Sequence, residues 1–180
     1  MQLIDSHCHI HDREFFDADA AEAVYQRSVK QLEAMLLIGT SLDDSRQALS
    51  FAGMHPEKCF AAIGIHPHEA GKKSKQEIIE ELQSLGLLAD DPSVRAVGEC
   101  GLDFYYNDRS EVLGKQTSLL EGQLQIATDN NLPVSFHVRE AFVDFWPILD
   151  NFPDIQGVLH SFTDKPEHLE MALSRGLLIG

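Results

Sequence analysis

The sequence predicts an α/β fold: a parallel sheet with helices packed outside it. Two observations carry this reading. Short apolar runs alternate with longer helical patterns from one end of the chain to the other, and five of those runs lead into a histidine or a glutamate. Strand–helix alternation repeated this often implies parallel strands joined by helical crossovers. The apolar runs fall at residues 3–6, 34–38, 59–65, 94–98, 134–137, 157–160 and 177–179. They amount to six βα units and the start of a seventh strand.

The connecting segments can be justified in chain order. Ser41 with Asp44 has the spacing of a capping box that opens the helix after the second strand. Ile78, Ile79, Leu82 and Leu85 recur at helical steps after the third strand, and Pro92 marks where that helix must have stopped. Val112, Leu113, Leu119, Leu120, Leu124 and Ala127 trace one buried face of a longer helix, which ends before Pro133. Phe142, Phe145 and Trp146 form a short buried stripe, and Asp164 with Glu167 repeats the capping-box spacing before the last helix. No linker, internal repeat or low-complexity tract divides the chain, so a single domain over residues 1–180 is expected.

Composition narrows the class. Hydrophobic content of 43% and charged content of 24% are ordinary for a globular domain. No apolar run approaches the roughly 18–20 residues of a membrane span. The first residues turn polar too soon for a secretory leader. Three cysteines, Cys8, Cys59 and Cys100, follow no disulfide framework, which points to a reducing, cytoplasmic setting. The formal net charge of −15 argues against a broad duplex-binding face, because phosphate neutralisation needs basic surface. Action on a phosphodiester would have to rely on a local site where bound divalent cations supply positive charge.

The chemistry sits where the apolar runs end. In Asp5-Ser6-His7-Cys8-His9, strand alternation turns Asp5, His7 and His9 to one face, and two imidazoles so spaced can share one metal ion. Alone, the pair is no stronger than two ordinary histidines in a turn. Comparable positions recur, however: Gly64-Ile65-His66-Pro67-His68, Gly98-Glu99-Cys100-Gly101-Leu102-Asp103, Phe136-His137-Val138-Arg139 and Leu159-His160-Ser161-Phe162. The C-terminal strand ends of an α/β barrel surround one mouth, so five such positions point to one site.

These motifs, in this order and spacing from Leu3 to Gly180, resemble the successive signatures of the TatD family of metal-dependent hydrolases. The resemblance implies a TIM (β/α)₈ barrel, incomplete over these residues with its C-terminal part missing. It implies a deoxyribonuclease-like hydrolase that cleaves phosphodiester bonds by two-metal-activated water. It places two divalent ions (Mg²⁺, Mn²⁺ or Zn²⁺), one on His7 and His9 and one on His137 and His160, with Glu99 bridging them as a catalytic residue. His66 would stand beside the scissile phosphate. Substrates would be DNA ends or single-stranded DNA, with no membrane and no obligate protein partner. The family's last aspartate ligand, in a Glu-Thr-Asp-like motif, has no counterpart here, since Asp164 follows His160 too closely. Weak or absent catalysis, and exposed apolar strand edges that aggregate or associate, are the expectations for the 180 residues alone.

Other side chains have competing roles. Arg139 could grip a phosphate, or form an ion pair with Glu140 or Asp103. Tyr105, with Phe104 and Tyr106, could stack on a base, although packing at the rim is the commoner role. Cys8 and Cys100 face away from the ligands as wall residues. His11, His55, His68 and His168 default to the surface. Amidohydrolases and phosphotriesterase-like lactonases share the opening HxH but commonly bridge their metals with a carboxylated lysine, where this chain has Glu99. A non-catalytic fragment or pseudo-hydrolase is the third reading.

Overall fold

A computed structural model describes residues 3–180. Strand β1 (Leu3–Cys8) leads to α1 (Ala18–Ser28), β2 (Leu32–Ile38), α2 (Leu42–Met54) and β3 (Cys59–Ile63). Helices α3 (Pro67–Gly71) and α4 (Lys75–Leu88) follow, then β4 (Val94–Asp103), α5 (Arg109–Asn130) and β5 (Val134–Arg139). Helix α6 (Phe142–Leu149), β6 (Gly157–Leu159), α7 (Pro166–Ser174) and β7 (Leu178–Ile179) complete the order. The seven strands pair in the sequence β1-β2-β3-β4-β5-β6-β7, and every pair is parallel. Sequential, all-parallel strands with helical crossovers are the arrangement of a (β/α)₈ barrel over its first seven strands.

Packing follows the predicted faces. On α5 the buried positions are Val112, Gln116, Leu119, Leu120, Gln123, Leu124 and Ala127. Leu120, Leu124 and Ala127 join Val134, Phe136, Phe145 and Trp146 in the largest core cluster, and Leu119 packs with Ile63, Ile78 and Leu85. The Phe142, Phe145 and Trp146 stripe is buried as the spacing predicts. On α4, Ile78 and Leu85 are buried but Ile79 is 49% exposed, because it lies a full ~100° around the helix from Ile78. Inside the sheet a thinner layer of Ile38, Ala62 and Ala96 lies between the strands' inner faces. Leu3 and Ile4 of β1 and Leu178 and Ile179 of β7 are exposed along the two outer strands. A cavity of about 710 Å³ opens nearby, lined by Ser6, Leu36, Ala96, Ser135 and Leu178. No described helix is long and apolar enough to cross a membrane.

The strand boundaries carry a lesson. β4 runs to Asp103, five residues past the predicted end, so Glu99 lies inside a strand rather than at its tip. Cys100 and Leu102 are fully buried in the core beyond it, which keeps the backbone extended. Gly98 and Gly101 broke the apolar pattern without breaking the strand. A Cβ on Gly101 would collide with the His137 backbone carbonyl, so glycine is what lets β4 and β5 approach there. Conversely, β3 stops at Ile63, because Gly64 N–H donates to Ser45 Oγ and Ile65 N–H donates to Gln123 Oε1 instead of continuing the ladder.

Helix caps and histidines also depart from expectation. Ser41 caps α2 by accepting from Asp44 N–H, but the Asp44 carboxylate turns away to accept from Thr40 N–H and Oγ1. The reciprocal capping box is at Ser74 and Glu77, opening α4. Helix α7 begins at Pro166 with no side-chain cap, and Asp164 accepts from Lys165 N–H. The four histidines assigned to the surface all have partners. His11 is buried with Nε2 3.1 Å from Asp44 Oδ1, and His55 stacks on Tyr25 at 3.8 Å. His168 Nδ1 accepts from Trp146 Nε1, and His68 faces Asp103.

The Asp44 contacts yield a stability prediction. Burial alone would raise its pKa, but His11 and the Thr40 amide and hydroxyl outweigh burial and hold it below the usual carboxylate value. A depressed folded-state pKa contributes stability above the unfolded value, near ~3.9, that is lost as pH falls through the folded value. Asp44→Ala is expected to cost about 2 kcal/mol at pH 7, from lost charge-assisted hydrogen bonds and an orphaned His11. The deficit should shrink once the pH is taken from neutral down into the acid range where the folded-state carboxyl protonates. Urea denaturation at the two pH values reads both; an equal deficit at each would contradict the assignment.

Candidate metal centre

The strand order gathers the predicted residues around one carboxylate. β4 presents Glu99, which is 6% exposed, between β1 on one side and β5 on the other. Glu99 Oε1 lies 2.7 Å from His137 Nδ1 on β5, and Oε2 lies 3.5 Å from His7 Nε2 on β1. His66, at the N-terminus of α3, brings Nε2 to 3.8 Å from Glu99 Oε1. His9, just past β1, brings its Nε2 to 3.1 Å from His7 Nε2. His160, just past β6, stacks its ring flat on His7 with centroids 3.5 Å apart.

Two triads lie close enough to take an ion, with one ligand atom from each residue within 4.8 Å of the others: His7, Glu99 and His160, and His66, Glu99 and His137. Glu99 belongs to both. The partition differs from the one the motifs implied, because His160 stands against His7 rather than beside His137. A third group, His66, His68 and Asp103, adjoins them.

The electrostatics suit a cation. Among the described residues no lysine or arginine comes within ion-pair distance of Glu99, so its charge faces only imidazoles. Burial pushes the Glu99 carboxyl up, but the hydrogen bonds of His137 and His7 and the charges of His137 and His66 overcome this and hold it well below the ordinary range. Burial lowers the His66 pKa to about 3, with His137 adding to the effect. Burial, then the neighbouring His7, lowers His9 and His160 as well. Burial would lower His137 too, but Asp103 and Glu99 together raise it to about 9. An anionic carboxylate ringed by mostly neutral imidazoles is a donor set for a divalent ion. The neighbouring thiols offer no rival chemistry, since burial raises Cys8 to about 12 and Cys100 higher still.

The backbone under the site is held by residues that the sequence reading passed over. Gln123, fully buried on α5, accepts from Ile65 N–H and donates to Ile65 C=O, fixing the segment that carries His66. Gln116, two turns earlier on the same helix face, makes the same two-point contact with Asp103. Polar residues inside an otherwise apolar helical stripe were the available signal. Beyond these candidate ligands, the Arg139 guanidinium lies over the Tyr105 ring at 3.5 Å and near Tyr106 at 5.5 Å. Neither expected ion pair, to Glu140 or Asp103, forms among the described residues. Tyr105 and Tyr106 are 50% and 68% exposed rather than packed into the rim. Glu140 and Ser161 take left-handed φ values of 54° and 50° just after Arg139 and His160, where the chain turns away from the mouth.

Sequential parallel strands whose C-terminal ends hold a shared carboxylate among histidines define the class: an α/β-barrel protein with an imidazole–carboxylate mouth. The family model described as TatD-related DNase matches residues 4–180, and the chain belongs to that family. It is 37% identical over 167 residues to the "3'-5' ssDNA/RNA exonuclease TatD" of Erwinia tasmaniensis, a match covering 92% of this chain and 62% of the relative. The protein of the same name from Erwinia amylovora is 38% identical over 167 residues, with the same coverage. Among solved structures, the TatD homologue YJJV from Escherichia coli superposes with a TM-score of 0.84 at 27% identity, covering 98% of this chain and 66% of that one. The chain thus spans about 62% of the length of the curated relatives it matches.

Proposed function

We propose that this protein is a divalent-metal-dependent nuclease that trims single-stranded nucleic acid from an end. The observation that carries the reading is Glu99, a buried carboxylate shared by two histidine-bearing triads and met by no lysine or arginine among the described residues. The named activity of the Erwinia relatives supports the substrate class. Glu99 with His7 and His9 would hold one ion, with His160 stacked on His7 within reach of it, and Glu99 with His137 would hold the other. Such ions supply Lewis-acid charge for a phosphoryl group and activate water near neutral pH. Imidazole with carboxylate accommodates Zn²⁺ or Mn²⁺ readily, while Mg²⁺ prefers more oxygen.

The chain's own groups do the rest. His66 Nδ1 accepts the His68 amide N–H at 3.2 Å, which leaves the ring proton on Nε2. That Nε2–H faces the site beside Glu99 and would donate to a non-bridging phosphate oxygen. Arg139, held flat on Tyr105, would bind a flanking phosphate, and the exposed Tyr105 and Tyr106 faces would receive unstacked bases. A net charge of −15 disfavours extended duplex contact and fits short, frayed or single-stranded ends. Three free cysteines fit a reducing, cytoplasmic setting.

The direct test incubates metal-stripped protein with end-labelled single-stranded and duplex oligonucleotides, with and without Mg²⁺, Mn²⁺ or Zn²⁺. Metal-dependent shortening of single strands is expected. Turnover of a lactone or amide without oligonucleotide cleavage would reject the nuclease reading. In the same assay Arg139→Ala should raise KM about tenfold and leave kcat within about threefold, the pattern of a lost binding contact. A fall in kcat at constant KM would instead put Arg139 in the chemical step.

A further inference from the structure

We infer that Asp103 is a positioning residue that orients His137, so that the Nδ1 face of this imidazole, and not Nε2, is turned to Glu99. The inference rests on the metal-centre reading for its consequence and on geometry for its content. An imidazole on a strand can rotate about its last side-chain bond and exchange which nitrogen faces a neighbour. Here His137 Nε2 is 2.8 Å from Asp103 Oδ2 while Nδ1 is 2.7 Å from Glu99 Oε1. The two carboxylates come from one strand, four residues apart, and His137 sits opposite Gly101 between them in the β4–β5 register.

Asp103 cannot serve as a mobile ligand. Its side chain is fully buried, and Oδ1 accepts from Tyr105 N–H at 2.8 Å. Its backbone N–H and C=O are both tied to Gln116. His68 Nε2 reaches the same Oδ2 at 2.9 Å, closing the other side. Every degree of freedom of this carboxylate is spent on holding its place. A carboxylate fixed behind a metal-binding imidazole selects the ring nitrogen offered to the ion, and its loss typically weakens binding by about 10–100-fold. The Tyr105 contact also ties the His137 anchor to the loop that carries the Arg139 platform.

The test compares the intact protein with the isosteric Asp103→Asn and with Asp103→Ala, each checked for its thermal midpoint. Titration with Mn²⁺ is expected to resolve two ions in the parent. Both variants should lose about 10–100-fold affinity for the ion at Glu99 and His137, with the ion at His7 and His9 kept within about threefold. A purely structural Asp103 would weaken both ions together or neither. The second readout is the His137 imidazole Nε2–H by nitrogen-15 NMR of the metal-free protein. It should be protected from exchange in the parent and exposed in Asp103→Ala. Unchanged Nε2–H protection, or equal affinities for both ions, overturns the inference. If the parent binds no ion, the metal-centre reading fails, and the Nε2–H signal alone decides the role of Asp103.

Discussion

Glu99→Gln is expected to reduce nuclease turnover by roughly 10³-fold or more, the scale of losing an electrostatic element at the reacting centre. The substitution keeps volume and removes one charge. That charge is the shared element of both triads, so its loss should weaken both ions together rather than one. The alternative is that Glu99 merely pairs with His137 in a structural contact of 2.7 Å. In that case Gln would keep a hydrogen bond there, and turnover would fall by no more than about tenfold. Stability is read alongside. The depressed Glu99 and raised His137 pKa values mean that this pair favours the folded state at neutral pH, so Gln should lower the thermal midpoint of the metal-free protein in either case. Turnover on a labelled single strand decides between the readings, and a melting curve on the same preparation shows that the variant is folded.

Gly101→Ala is expected to cost about 3 kcal/mol or more, with loss of the site whatever fold survives. The added methyl would meet the His137 carbonyl, a backbone atom that cannot rotate away, so β4 and β5 must part. Parting them separates Glu99 and Asp103 from His137 and breaks the pairing of Cys100 with Phe136, both fully buried. Gly114, on the exposed side of α5 with nothing near its Cβ position, is the control. Gly114→Ala should be neutral or stabilising by up to about 1 kcal/mol. Urea denaturation of the two variants gives the comparison. A Gly101→Ala protein as stable as Gly114→Ala would mean the strands approach less closely than described.

Much of this site was legible in the chain because barrel chemistry concentrates at strand ends. His7, His66, Glu99, His137 and His160 announce themselves as polar residues closing apolar runs, and the four histidines gather around the Glu99 carboxylate. The full extent of β4 was not legible, since its two glycines resemble a break while actually permitting close strand contact. Gln116 and Gln123 were hidden for a related reason. Amides inside a helix stripe read as imperfections of the pattern until their backbone partners, Ile65 just past β3 and Asp103 on β4, are known. The paired histidines lay beyond reach of pattern altogether. Nothing local to His11 names Asp44, 33 positions away, and only the packing of α2 against β1 and β2 brings them together.

The central claim, that Glu99 is the shared ligand of a two-ion centre, is tested most directly by locating Mn²⁺ through anomalous scattering in crystals of the intact protein. The account predicts two peaks, each within about 2.0–2.3 Å of a Glu99 oxygen. One should lie beside His7 and His9, and the other beside His137. Absence of any peak at Glu99, or a single ion held by His66, His68 and Asp103 alone, would contradict it.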